Sequence, residues 1–372
     1  MNVQIEDTVY RPKLLQSVDN AGHEGSTNTN VSDIMVSYGA DASCSDYVRN
    51  SEGARLCHVP EWSEMVERVF KHKSHYFVAR ANGIVCGVLP LVHVHSRLFG
   101  NRLISQPFSD YGGPLADNPA TIEALYKHAV EIAGQYACDY VEFRNTIPMP
   151  QELYARTDKV CMHLPLTSDP EEVWTDLRPQ IRNRIRQAEK SGITVTTGRH
   201  EMLDDFYRLW TIRMRELGTP CYSRKLFRGI LDTFSDSSRI FLAHSSGKVA
   251  AAFFTYDFNN CAHSRWGAAL RQYDSLSPNF LLNWSAIEFY CKAGMDSFDF
   301  GRSTINSGQY TFKKRWKARP LALNWQYWIR PGHALSLAKP DNPKFARRVE
   351  IWKRMPLGIT RLIGPRISRN LP

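Results

Sequence analysis

The sequence has no C-x-x-C pair: Cys44, Cys57, Cys86, Cys138, Cys161, Cys221, Cys261 and Cys291 all stand singly. That excludes a zinc ribbon and a dithiol redox motif, and it fits the reduced thiols of a cytoplasmic protein. Long apolar runs are also missing, and the first residues are polar and acidic rather than basic and then apolar. Neither a membrane-spanning helix nor a signal peptide is expected. His93 and His95 share a strand face without a third ligand nearby, so no metal site is expected. No Ser or Cys stands in an activating motif, which argues against a covalent intermediate. Acids are nearly absent from residues 344–369, where eight basic side chains face Glu350 alone. This local charge of +7, within a net +10, leaves only +3 for the rest of the chain.

What is present suits a folded, two-core protein. With 372 residues and 18 Phe, 16 Tyr and 9 Trp, the chain can fill more than one core, given about 150 residues per domain. Residues 1–33 are polar and lack periodicity, which predicts an unstructured lead-in. Beyond them a strand is expected at Ile34–Tyr38 and a helix at Glu61–Phe70. Strands at Tyr76–Ala81 and Ile84–His95 flank the Asn82-Gly83 turn. Asn101–Gln106 continues this meander, Asn118–Tyr136 reads as a helix, and Tyr140–Arg144 as a strand of alternating polarity.

The second half repeats the order. Leu203–Leu217 reads as a helix, Arg239–His244 and Val249–Phe258 as a hairpin, and Cys261–Leu270 as a strand. Asn279–Ala293 is then helical, with strands at Ser297–Gly301 and Leu323–Ile329. Such a repeat predicts an α+β protein of two similar domains, 34–165 and 166–335, with mostly antiparallel sheets, a ligand cleft between them and a basic helical tail at 336–372.

Three segments carry a family resemblance: Leu177–Gly192 (LRPQIRNRIRQAEKSG), Phe298–Ser303 (FDFGRS) and Gly308–Ala318 (GQYTFKKRWKA). Together with the repeated order, they resemble the FemAB peptidyltransferases, which are tandem GNAT folds. FDFGRST, the FKKRW helix and the basic tail resemble most the FemAB-related branch that accompanies exopolysaccharide and PEP-CTERM sorting systems in Gram-negative bacteria. The resemblance implies a cytoplasmic transferase that moves an acyl or aminoacyl group onto a cell-envelope or exopolysaccharide precursor. Its donor would be aminoacyl-tRNA or acyl-CoA. Two departures are visible. The long helical arm of some FemAB members is missing between Lys190 and Arg239, and the segment Arg271–Asn279 has no glycine where coenzyme-A-dependent enzymes cradle the pyrophosphate. The alternatives left open are an acetyl-CoA-dependent N- or O-acyltransferase and a noncatalytic scaffold binding polysaccharide or nucleic acid.

Acyl transfer to an amine needs a group to hold the oxyanion and a group to accept a proton. By the resemblance, Lys313, after Phe312, stands at the acyl donor's end and supplies the first; Asp299, between Phe298 and Phe300, is the candidate base or else a structural hydrogen-bond acceptor. Arg302 and Ser303, at a strand's end, are candidates for an anionic group, with Tyr310 and Phe312 lining the donor end. Arg182 and Arg186 lie on a cationic helix face suited to a diphosphate, a tRNA or an anionic lipid. Asp110, Tyr111 and Gly112 belong to a loop that in FemAB-like proteins closes over the acceptor; here Tyr111 offers a ring for a sugar to stack on, the alternative being a plain tight turn. The tail 342–372 mixes apolar and basic residues and is a candidate for contact with the inner membrane, Trp352 at the headgroup level.

Overall fold

The computed structural model describes residues 34–335 and 343–371. The expected lead-in 1–33 therefore lies outside the described residues, as does the start of the tail.

The first half begins with β1 (Ile34–Tyr38), α1 (Ala42–Asn50) and α2 (Pro60–Phe70), followed by β2 (Lys73–Ala81), β3 (Ile84–Ser96), β4 (Gly100–Ile104) and the two-residue β5 (Leu115–Ala116). Then come α3 (Pro119–Gln135), β6 (Tyr140–Asn145), β7 (Tyr154–Arg156) and β8 (Lys159–Pro165). The second half runs α4 (Pro170–Asp176), α5 (Pro179–Lys190), β9 (Thr194–Gly198), α6 (Leu203–Leu217) and α7 (Arg224–Thr233). It continues with β10 (Ser238–Ser245), β11 (Lys248–Phe258), β12 (Cys261–Ala269), α8 (Pro278–Lys292), β13 (Ser297–Thr304), α9 (Gly308–Arg315), β14 (Arg319–Ala322) and β15 (Asn324–Ile329). The tail forms α10 (Pro343–Arg354) and α11 (Leu357–Ser368), separated at Pro356 as its missing N–H requires.

Local chemistry explains the repeat. Both hairpins close on two residues in the left-handed region, Asn82-Gly83 (φ 51° and 81°) and Ser246-Gly247 (φ 48° and 74°), the turn whose twist matches the flanking strands. Helix α2 starts on Pro60 and buries Trp62, Met65, Val66 and Phe70 on one stripe. The sequence segment from Leu177 is not one helix: Leu177 caps α4, and Pro179 opens α5.

The first sheet has the order β1-β2-β3-β4-β6-β15-β7, with β5 beside β3, and the second β14-β8-β13-β12-β11-β10-β9. Read from β1 and from β9, the two orders match strand for strand. In both, a parallel pair (β4 with β6, β12 with β13) interrupts an otherwise antiparallel sheet. One strand of each sheet is exchanged. β8, which follows the first half, pairs with β13, while β15, which follows the second, pairs with β6. The division expected at 165/166 thus differs from sheet membership, since hydrophobic periodicity reports a strand but not its partner.

Helix α3 covers one face of the first sheet with Ala124, Leu125 and Ala129 against Leu89, Leu91 and Phe143. The outer face of the second sheet is covered by α5 and α8, with Ile181, Ile185 and Leu282 packed with Phe298 and Phe300. The inner faces share one core in which Trp62 and Met65 of α2 meet Phe206 and Phe227, with Phe254 and Trp266 beyond. Gly229 lets α2 and α7 approach: a β-carbon there would lie 3.2 Å from Met65 and Val69.

Candidate active site

β12 and β13 run side by side for three residue pairs, Cys261 with Ser297, Ala262 with Phe298 and His263 with Asp299. Past Asp299 they part. β12 goes on to Ala269 against β11 alone, while β13 goes on to Thr304 against β8, with a register shift between Asp299 and Arg302. A wedge therefore opens between Ser264–Ala269 and Phe300–Thr304, edged by strand backbone that lacks a partner across the gap. Gly267 is exposed on that edge, where a β-carbon would lie 2.7 Å from the Phe253 ring.

The floor of the wedge is a row of polar groups across three strands. His163 on β8, Asp299 on β13 and His263 on β12 are in register. His263 Nδ1 lies 3.1 Å from Asp299 Oδ2, and Tyr111 donates its hydroxyl to the same oxygen at 2.7 Å. The Gly301 N–H donates to Asp299 Oδ1 at 2.7 Å, and His163 Nε2 lies 3.0 Å from the Tyr111 hydroxyl. Burial alone would raise the Asp299 pKa, but the charge of His163 and the contacts of His263 and Tyr111 hold it far below the carboxylate range. Burial likewise opposes charge on His263, yet the Cys261 sulfur and the Asp299 carboxylate raise it to about 9.

Two alternatives left open by the sequence are narrowed by this geometry. Asp299 faces the first half as its alternation with Phe298 and Phe300 requires, but it is 2% exposed with both oxygens engaged, which fits the structural acceptor rather than the cleft-facing base. Tyr111 is 4% exposed beneath the Arg55 guanidinium, so no sugar can stack on it. The Gly112 and Gly113 backbone approaches Gln106 and Asn145 of its own chain, not a ligand: β-carbons there would lie 2.7 and 1.8 Å from those side chains. Asp110 is also buried, bonded to Arg265 and 3.4 Å from Arg302 Nε. Burial works against its charge, but these two guanidinium groups keep its pKa low.

Lys313 stands at the wedge's flank. Ser307 caps α9 through the Tyr310 N–H, and this fixes the helix across the end of β13. Lys313 Nζ donates to the carbonyls of Gly301 and Arg302 at 2.9 and 3.0 Å, which leaves one N–H. Burial lowers its pKa, against the opposing pull of Asp299. Arg302 packs its guanidinium over Trp325, 4.8 Å from the ring centre, and remains one-third exposed. Ser303 is buried and its hydroxyl has no partner among the described residues. Phe312 packs on Phe280 and Trp316 behind the wedge, and Tyr310 lies beside Lys314.

The structure thus gathers Lys313, Asp299, Arg302, Ser303, Asp110 and Tyr111. It does not gather Arg182 and Arg186. Their helix packs on the Phe298 and Phe300 side of the second sheet, opposite Asp299, and Arg186 covers Trp174. His163, His263, Arg265, Arg55 and Trp325 escaped the sequence reading. A carboxylate set between two phenylalanines on a buried strand demands partners, and the His263 of the neighbouring strand was the available signal.

The match that decides the class lies here. Residues 175–314 match the acetyltransferase (GNAT) domain family. The matched segment contains both sides of the wedge and ends just past Lys313. Among curated proteins no match was found. Solved structures share the tandem fold. FemX is 14% identical with a TM-score of 0.64, over 80% of this chain and 97% of that one. A tandem GNAT protein from the clavulanic acid pathway is 14% identical with a TM-score of 0.51, over 82% and 100%. The C-terminal domain of a putative lysylphosphatidylglycerol synthetase from Agrobacterium fabrum is 12% identical with a TM-score of 0.51, over 78% and 91%.

Proposed function

We propose that this GNAT-fold acyltransferase is FemAB-like, and that it moves an aminoacyl or acyl group onto an amine or hydroxyl of a cell-envelope or exopolysaccharide precursor. The observation that carries the reading is the Lys313 ammonium, held by two backbone carbonyls at the side of the wedge with its third N–H uncommitted. A donor carbonyl in the wedge develops negative charge as the acceptor attacks, and a fixed donor already stripped of water stabilises that charge most. The new amide or ester bond forms as the donor's ester or thioester bond breaks, and the proton lost by the acceptor amine or hydroxyl passes to the departing hydroxyl or thiol. Arg302, one-third exposed at the mouth, grips an anionic portion of the acceptor. Asp299 takes no proton here; it keeps His263, Tyr111 and the Gly301 turn in place.

Aminoacyl-tRNA is the donor we favour, and a lipid-linked or anionic saccharide the acceptor. The name of the Agrobacterium neighbour pairs a lysyl group with a phosphate-bearing lipid, and residues 271–276, which form a 3-10 turn without glycine, offer no diphosphate cradle. An acetyl-CoA-dependent reaction is the rival, since the clavulanic acid pathway neighbour's name refers to that compound. Incubating the chain with labelled aminoacyl-tRNA or acetyl-CoA and envelope precursors decides between them. Label transfer from tRNA, abolished in Lys313→Ala, is the expected result. Transfer from acetyl-CoA alone, with a rise in melting temperature, establishes the rival. A Lys313→Ala chain that complements a deletion strain fully makes the protein a scaffold and overturns the catalytic reading.

A further inference from the structure

The tail docks on its own chain, which leaves a second face to be explained. Helices α10 and α11 both lie against α6. Val349 reaches Gly218, where a β-carbon would lie only 2.4 Å away, Thr360 and Ser368 are buried, and the Ser368 hydroxyl donates to the Cys221 carbonyl at 2.9 Å. At its end the tail also grips the first half: His72 Nε2 meets the Arg369 carbonyl at 2.7 Å, and the buried Arg102 donates to the Asn370 carbonyl. Trp352, expected at a headgroup boundary, is buried against the protein at 8% exposure. The tail is therefore built into both halves, and its inner face is fully used.

The outer face has a different composition. Helical spacing puts Arg347, Ile351 and Arg354 on the side of α10 away from α6, and Ile359, Leu362 and Arg366 on the corresponding side of α11. Ile351, Ile359 and Leu362 are 53%, 44% and 64% exposed, three of the ten exposed large hydrophobic side chains among the described residues. All three arginines of the stripe are exposed too. The lone acid, Glu350, is tied to Lys353 at 2.6 Å. No helix of the described residues is long and apolar enough to cross a membrane.

We infer that this outer face of α10 and α11 is a docking surface for an anionic lipid bilayer, with Ile351, Ile359 and Leu362 entering the headgroup boundary and Arg347, Arg354 and Arg366 facing the lipid phosphates. Alternating cationic and apolar groups on the outward sides of two docked helices is the composition that an anionic interface rewards and that a neutral interface, or a polyanion in water, rewards only in part. The inference is independent of the acyl-transfer reading.

Co-sedimentation of the full chain with vesicles of phosphatidylcholine, alone or with about one-third phosphatidylglycerol, tests it. Binding to the anionic vesicles is expected to exceed binding to the neutral ones by about tenfold or more, and to fall by a similar factor in the joint variant Ile351→Ser, Ile359→Ser and Leu362→Ser. Arg347→Glu, Arg354→Glu and Arg366→Glu together should abolish the preference for anionic lipid. Because the altered side chains are exposed, the melting temperature should stay within a few degrees of the parent, about the change expected from surface positions. Leu362→Trp in the otherwise intact chain should show blue-shifted emission with anionic vesicles, a readout that does not depend on the multiple variants folding. Absence of vesicle binding, equal binding to both lipids, or an unshifted tryptophan overturns the inference. So does binding that the serine variant retains and the glutamate variant loses, which would mark a site for a soluble polyanion.

Discussion

The two sheets carry the same parallel pair at the same place, and they treat the gap beyond it in opposite ways. In the second sheet the gap between β12 and β13 stays open. In the first, β4 and β6 part after Ile104 and Glu142, and the chain itself fills the space with residues 105–114. Arg144 is the post of that filling: 2% exposed, it pairs with Glu142 and donates to the carbonyls of Gln106, Pro107 and Ser109. The filled gap of one half thus delivers Asp110 and Tyr111 to the floor of the open gap of the other. One copy of the repeat closes its gap with its own chain and the other leaves it open.

The contrast breaks first at Arg144. Arg144→Ala leaves Glu142 and three loop carbonyls buried without a partner, and should cost about 3–5 kcal/mol, read as a shift in denaturant midpoint. Arg302→Ala, at the open gap, should cost under about 1 kcal/mol because that pair is partly in water. Equal losses at the two sites would erase the distinction. Lys313→Ala is next: transfer should fall by about 10²–10³-fold at nearly unchanged melting temperature, with no rescue by Lys313→Arg, whose planar fork does not fit two adjacent carbonyls and an oxyanion.

Acidity separates the halves as well. His58 in the first half accepts the Arg55 N–H and meets the Gly113 carbonyl, and burial lowers its pKa from 6.5 to about 4. Its contribution, roughly 3 kcal/mol, is complete above pH 6.5 and is lost as pH falls toward 4. His263 has its pKa raised from 6.5 to about 9, so what it contributes is complete below pH 6.5 and is lost as pH rises through 9. Melting temperature should therefore fall on both sides of neutrality. His58→Gln should flatten the acid limb and His263→Gln the alkaline limb; a single variant that flattens both would refute the separation. At the rim of the open gap, Gly267→Ala should cost about 1–3 kcal/mol through crowding against Phe253. A matching fall in transfer would show that this edge of the wedge is used.

Much of the fold was legible. Ile34–Tyr38 and Leu203–Leu217 fall where their periodicity puts them, and both hairpin turns sit on the residues that tolerate positive φ. The strand Lys159–Pro165 was missed although Val160, Met162 and Leu164 are all buried, because Cys161 and His163 are buried on its other face too and no alternation shows. The strand at Tyr140–Arg144 was legible from its alternation, but the alternation did not report that Glu142 and Arg144 satisfy each other in the interior. Of the residues singled out in the sequence, Lys313, Arg302 and Ser303 lie together at the wedge, whereas Arg182 and Arg186 lie on the other side of the sheet. Their spacing reports a cationic helix face but not which side of the sheet that helix covers.

The sequence alone determined the repeat, its turns, the isolated thiols and the basic stretch near the end, since each depends on the intrinsic preferences of neighbouring residues. Only the tertiary structure decided which strands were exchanged, which gap stayed open, and that Tyr111 and Asp299, 188 positions apart, share a hydrogen bond. Such pairings are set by long-range packing, where burial of the whole surface chooses among partners that local propensity leaves equivalent.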